Sequence, residues 1–299
     1  MNIRESRPDF MIVGAPKSAT TTLHRALCRY PDIFMTEPKE PAFFSNPERQ
    51  SNGMEWYRQL FDAADPEQLR GEASSTYSRH PYDTAPNTID PWPEIARCFQ
   101  GLSLVYLVRD PISRSYSHYR HWLRKGNRGT FEEAMESEPP IIDCSRYRIQ
   151  IERIQSVMGD VPMFIETFDR MSLSQSDVVQ EVRDFLGLQE MALDDDRSVH
   201  ENKHGYEVVL GQYLKTLPFG ATIRAATPQR LRTLGKTILI ASPLRRMMDR
   251  QVKPFPMLSE TKKRLREKFE PDIAFIESLV TRSLDSWRSD AAESSVTNT

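Results

Sequence analysis

The chain has 299 residues, with 40 Lys plus Arg against 42 Asp plus Glu and a formal net charge of −2 at pH 7. That balance excludes a general polyanion binder, and 38% hydrophobic with 27% charged residues excludes a disordered chain. No apolar run approaches the roughly 20 residues that span a bilayer, and Cys28, Cys98 and Cys144 show no CxxC spacing that would mark a disulfide framework or structural zinc. The N-terminus lacks the apolar core of a signal peptide, so the expected compartment is reduced and cytoplasmic.

The first predicted element is a buried strand, Phe10–Val13. It runs into Gly14-Ala-Pro-Lys17-Ser-Ala-Thr20-Thr-Thr22, and a helix follows over Thr21–Arg29 with Leu23, Ala26 and Leu27 at helical spacing. A strand, a tight turn, a Lys and hydroxyl residues opening a helix suit anion capture. Backbone N–H groups and the helix dipole favour negative charge, Lys17 adds a full charge, and hydroxyls bind oxygens. Ala15, Pro16, Lys17, Ser18, Ala19, Thr20, Thr21 and Thr22 are therefore candidate ligands. The stretch is not a Walker A loop, which needs a glycine directly before the Lys.

A second strand, Leu104–Val108, ends in Arg109-Asp110-Pro111 and a helix over Ser113–Leu123 carrying Tyr116, Tyr119 and Leu123. Asp110 suits the helix cap and Pro111 its first turn. Arg109, just past a strand end, and Ser117, two turns into the helix, make a clamp for a second phosphate. Further helices are expected over Arg146–Val157 and over Val178–Leu186, the latter stopping at Gly187, with a strand at Met163–Ile165 between them. A long helix over Glu260–Val280 is expected to break near Pro271. The alternation predicts an α/β fold with a parallel sheet covered on both faces.

Residues 221–253 carry eight Lys or Arg, from Arg224 to Lys253, against Asp249 alone. They read as a helical subdomain with a solvated basic face, or as a cap over the site and a surface for anionic groups. The expected organisation is one domain over 1–287, with 206–257 as a helical cap or acceptor region, and a flexible tail over 288–299.

The two loops together resemble the sulfotransferases that use 3′-phosphoadenosine 5′-phosphosulfate, in the branch of bacterial enzymes and heparan-sulfate sulfotransferase domains. Gly14 to Thr22 resembles that family's 5′-phosphosulfate loop, and Arg109-Asp-Pro-x-x-Arg114-x-x-Ser117-x-Tyr119 its 3′-phosphate motif. Glu37-Pro-Lys39-Glu40-Pro-Ala-Phe43-Phe44 resembles the segment of the catalytic Glu, at Glu40. Gly71-Glu72-Ala-Ser-Ser-Thr-Tyr77 resembles a second active-site segment, and Glu166-x-Phe168 with Phe185–Leu188 a later strand and helix. The resemblance runs over residues 8–205 and implies a P-loop-like three-layer fold, a central parallel sheet flanked by helices and a helical C-terminal region. Three positions depart from it. Ala42 stands where relatives often have His, Ala73 where some have Lys, and Ser18-Ala19 where many have paired glycines. Lys203 falls in the segment that relatives lay over the 3′-phosphate.

The implied reaction is in-line transfer of a sulfuryl group without a bound metal, with adenosine 3′,5′-bisphosphate as product. Lys17 stabilises the leaving charge, and Glu40, walled by Phe43 and Phe44, takes the acceptor proton. His118, then His121, are alternative bases, and His24 is structural. Glu72 orients Lys17 or the acceptor, or forms a buried ion pair. The expected acceptor is a small molecule, lipid or glycoconjugate, not a nucleic acid, with peripheral membrane contact through 221–253. The competing readings are a P-loop-type small-molecule kinase, for which a full Walker A loop and a metal carboxylate are missing, and an inactive nucleotide-binding module.

Overall fold

The computed structural model describes residues 6–79, 89–191 and 254–289. Lys203, the basic 221–253 stretch and the tail from 290 onward lie outside them. The described residues fall into two units. The larger takes those of 6–119, 130–191 and 256–289, and the smaller takes 120–129 and 254–255.

Five strands form one parallel sheet in the order β2-β3-β1-β4-β5. They are β1 (Phe10–Gly14), β2 (Ile33–Met35), β3 (Leu69–Ala73), β4 (Ser103–Val108) and β5 (Met163–Thr167). In β1 and β4 both faces are buried, so alternate residues enter different cores. Met11, Val13, Leu104, Tyr106 and Val108 pack with Tyr57, Trp92, Ile95, Ile151, Ile154, Ile273 and Ile276 on one side. Phe10, Ile12, Val105 and Leu107 pack with Leu23, Leu27, Val178 and Val182 on the other. The result is the expected three-layer α/β fold. A fully buried side chain of this kind contributes about 1.5–3 kcal/mol, which is why these short apolar runs are decisive.

On the first face lie α3 (Gly53–Gln59), α4 (Trp92–Cys98), α8 (Tyr147–Met158) and the C-terminal helix Ser259–Val280. On the second lie α1 (Thr20–Leu27) and α10 (Gln175–Phe185). Shorter helices, α2 (Pro47–Gln50), α6 (Phe131–Ser137), α7 (Pro140–Asp143) and α9 (Phe168–Leu173), fill the connections, and α5 (Pro111–Arg124) follows β4.

One expectation needs correction. The C-terminal helix runs unbroken through Pro271. Leu265 and Phe269 before the proline and Ile273, Ile276 and Val280 after it are all buried, so packing on both sides holds one helical course. Phe43 and Phe44 belong to the core. Phe44 packs edge-on against Tyr57, Tyr77 and Phe99, and Phe43 stacks on Trp56. The Glu40 carboxylate takes its hydrogen bonds from Lys39 and Ser75.

Candidate active site at the strand C-termini

In a parallel sheet ligands bind beyond the strand C-termini, where the strand order reverses. Here the reversal falls at β1, which sits between β3 and β4. The segments after β1, β2, β3 and β4 hold the β1–α1 loop, Glu40, Ser74-Ser75 and Arg109, and so emerge along the same edge.

The β1–α1 loop starts at Gly14 because nothing larger fits. A Cβ there would lie 2.2 Å from both the Ser78 hydroxyl and the Tyr106 ring. Ala15 N–H donates to the Leu107 carbonyl (2.6 Å) and Ser18 N–H to Ala15 O (3.2 Å). Lys17 and Ala19 take left-handed backbone conformations, with φ 73° and 65°. The buried Ser18 hydroxyl has no hydrogen-bond partner among the described residues, an orphan polar atom in the loop expected to bind an anion. Thr20 is buried, whereas Thr21 and Thr22 are exposed in the first turn of α1.

Two arginines from the β4–α5 segment hold this loop. Arg109 donates through Nη1 to Lys17 O (3.3 Å), and Arg114 through Nη1 to Pro16 O (3.4 Å). Arg114 is fully buried among neutral oxygens, including Ser145 Oγ and the Ile141 and Pro140 carbonyls. Among the described residues neither arginine forms an ion pair with a carboxylate, and burial pulls the Arg109 guanidinium down from its usual pKa. The Arg109 backbone is pinned on both sides by Tyr147, whose hydroxyl donates to its carbonyl (2.6 Å) and accepts from its N–H (3.1 Å). The Arg109 guanidinium also lies over the Phe168 ring, 4.1 Å from the centroid.

Asp110 caps α5 as expected, accepting from Ser113 N–H (2.9 Å). Ser117 and His118 lie three and four residues beyond Arg114, on its face of α5. His118 Nδ1 is 3.4 Å from Arg114 Nη1. A guanidinium only donates, so in this contact the imidazole nitrogen is the acceptor.

Glu40 sits on a turn with φ 63°, followed by Ala42 at φ 50°. Of the five non-glycine residues with positive φ among those described, four are Lys17, Ala19, Glu40 and Ala42. Such conformations cost about 1–3 kcal/mol each, and clustering of this kind is characteristic of functional sites. The end of β3 holds the Glu40 turn. Glu40 N–H donates to Ala73 O (2.9 Å), and Ser75 donates to its carboxylate through N–H (2.8 Å) and Oγ (2.9 Å). Lys39 Nζ lies 2.6 Å from the same carboxylate.

Glu72, a β3 residue, is fully buried. Its partners are the hydroxyls of Tyr57 (2.5 Å) and Ser74 (2.5 Å), with Tyr77 as a third. Burial pushes its carboxyl up to about 7. It forms no ion pair among the described residues, so the buried-ion-pair expectation is replaced by a carboxyl set among hydroxyls. Sequence reading missed Ser74, Ser75 and Tyr147 as supports of the site. Ser74 and Ser75 lay within a quoted segment, but no spacing marked their hydroxyls. Among the described residues no group of three or more His, Cys, Asp or Glu side chains gathers as a metal cluster, and no helix is long and apolar enough to cross a membrane.

Comparison with known proteins defines the class. A family model described as the sulfotransferase domain matches residues 7–216, and the chain belongs to that family. Among individual proteins it is 31% identical over 150 residues to the membrane-associated sulfotransferase kil1 of Dictyostelium discoideum, covering 46% of this chain and 30% of that protein. It is 27% identical over 240 residues to human heparan sulfate glucosamine 3-O-sulfotransferase 3B1, covering 77% of this chain and 55% of the human protein. The chain thus spans about a third to just over half of the length of these relatives. A sulfotransferase structure from Alicyclobacillus acidocaldarius shares the fold, with a TM-score of 0.64, 22% identity and coverage of 95% of this chain and 99% of the other.

Proposed function

We propose that this sulfotransferase moves a sulfuryl group from 3′-phosphoadenosine 5′-phosphosulfate to a hydroxyl or amine of a small molecule, lipid or glycoconjugate, leaving adenosine 3′,5′-bisphosphate. The observation that carries the reading is the pair of arginines, Arg109 and Arg114, tied to the carbonyls of the β1–α1 loop with no ion pair to a carboxylate among the described residues. Half-buried, Arg109 keeps guanidinium donors that no carboxylate among the described residues takes up in an ion pair. The orphan Ser18 hydroxyl and the N-terminus of α1 fit the same anionic ligand.

The donor contributes an activated sulfuryl group on a phosphate leaving oxygen. Lys17 and the loop N–H groups meet the charge that develops on that oxygen. Arg109 and Ser117 hold the 3′-phosphate, and Lys203 is proposed to join them. Glu40, braced by Ser75, takes the acceptor proton. A sulfuryl group carries less negative charge than a phosphoryl group, so a lysine and a helix N-terminus suffice without a metal. The acceptor region is proposed to include 206–257. Calorimetry tests the donor assignment. Adenosine 3′,5′-bisphosphate should bind in the presence of a chelator, whereas preferential binding of ATP with magnesium would favour the kinase reading.

A further inference from the structure

The turn that carries Glu40 leans on the buried carboxyl of Glu72. Ser74 joins the two. Its hydroxyl donates to Glu72 Oε1 and accepts from Ala42 N–H at 2.9 Å. The next residue, Ser75, grips Glu40 itself. Glu40 is thus bracketed, through Ser74 on its C-terminal side and through Ser75 on its carboxylate, by consecutive residues anchored at the end of β3.

A serine hydroxyl has one proton to give. With Glu72 ionised that proton goes to the carboxylate, and the Ser74 lone pairs remain for Ala42 N–H. With Glu72 protonated, the carboxyl has its own proton to place among hydroxyls that already point at it. Placed on Ser74, it takes the second lone pair of that oxygen, the serine's own proton must swing away from the carboxyl, and the orientation that holds the first lone pair on Ala42 N–H is no longer fixed by Glu72. The groups facing Glu72 are Tyr57 from α3, Tyr77 and Ser74 from the segment after β3, and the Glu40 carboxylate from the β2 side. Cys98 of α4 lies beyond Tyr57. The hydroxyls favour the charged form, whereas burial, the largest influence, and Glu40 oppose it.

We propose that Glu72 is a positioning residue for Glu40: its carboxylate, acting through Ser74, holds the Glu40–Ala42 turn in place, and protonation of Glu72 loosens that turn. The consequence for turnover rests on the reading of Glu40 as the proton acceptor. Burial sets the Glu72 ionisation at about 7, so the change falls near neutral pH.

The test is nuclear magnetic resonance of the full chain, selectively labelled with nitrogen-15 at alanine and serine. The Ala42 and Ser75 amides should titrate together between about pH 5 and 9, with a midpoint near neutrality. Glu72→Gln should abolish that titration while leaving calorimetric affinity for adenosine 3′,5′-bisphosphate unchanged. Tyr57→Phe removes a hydroxyl that favours the charged form, so its midpoint should move up. Amides that do not titrate in the wild type, or that titrate unchanged in Glu72→Gln, would overturn the proposal. Should Glu72→Gln fail to fold, an unmoved midpoint in Tyr57→Phe would overturn it equally. Glu40→Gln separates the two readings. Retained sulfuryl transfer in that variant removes Glu40 as the base, while the Ala42 titration, which belongs to Glu72, persists.

Discussion

The guanidinium of Arg109 stacks on the face of Phe168, the first residue of α9, at 4.1 Å. One face of the planar cation is therefore covered, and an anion reaches it through its N–H edge. Phe168→Leu should weaken adenosine 3′,5′-bisphosphate binding by about two- to thirtyfold, the range of a cation–π contact of 0.5–2 kcal/mol. Adenosine 5′-monophosphate, which lacks the 3′-phosphate, should bind both proteins alike, and Phe168→Tyr should restore the loss. Calorimetry with the two nucleotides distinguishes this from a general loss of fold.

Arg109→Ala should cost about tenfold or more in bisphosphate affinity, as expected for a charge-assisted bond of about 1.5–3 kcal/mol. Circular dichroism should report an intact fold. Unchanged affinity would remove Arg109 from the donor site.

Glu40 and Lys17 should separate kinetically. Glu40→Gln keeps the size of the side chain but cannot take up a full proton, so single-turnover transfer should fall by about 10²–10⁴ with donor affinity retained. Lys17→Ala should lower both transfer and donor affinity, because it removes charge felt in the ground state and more strongly in the transition state.

Much of the fold was legible in the sequence, for a physical reason. β1, β4 and β5 are short apolar runs in a sheet buried on both sides, and α1, α5, α8 and α10 show helical spacing. β2 and β3 escaped as strands. β2 is three residues long, and β3 reads Leu-Arg-Gly-Glu-Ala, in which the charges of Arg70 and Glu72 hide two buried positions. The β1–α1 and β4–α5 loops were visible because strand, turn and helix are contiguous there. The supports of Glu40 were not, because Ser74 and Ser75 lie more than thirty residues away and become neighbours only when β2 pairs with β3.

Gly14→Ala should be destabilising by about 1–3 kcal/mol, the usual cost of overpacking. The added methyl meets Ser78 and the Tyr106 ring, both fixed in the interior. A lower urea midpoint with an unchanged slope is the expected reading.

Two buried groups should give the stability curve opposing slopes. Burial, with Lys39 and Arg25 nearby, lowers the His24 pKa from 6.5 to about 4. The unfolded chain then binds the extra proton first, so this contribution is present above 6.5 and is lost as pH falls toward 4. Glu72 is raised from 4.5 to about 7, so its contribution is complete below 4.5 and is lost as pH rises toward 7. Each amounts to about 3 kcal/mol at full extent. Asp272, raised from 3.8 to about 6, has the sign of Glu72. His24→Gln should therefore leave stability that declines as pH rises from 4.5 to 7, and Glu72→Gln should steepen its recovery from 4 to 6.5. Urea midpoints across that range check both signs.

Within the described residues the hydrogen bonds of Arg109 and Arg114 go to neutral groups and neither forms an ion pair, although Asp169 and Asp110 lie near enough to Arg109 to act on its charge. On the proposed reading a doubly phosphorylated nucleotide pairs with these two cations. Its arrival is then favoured by the same charge that resists its departure. The cycle should be limited by exit of the spent carrier rather than by bond breaking, and added salt, by screening that attraction, should speed turnover until it begins to starve the enzyme of donor.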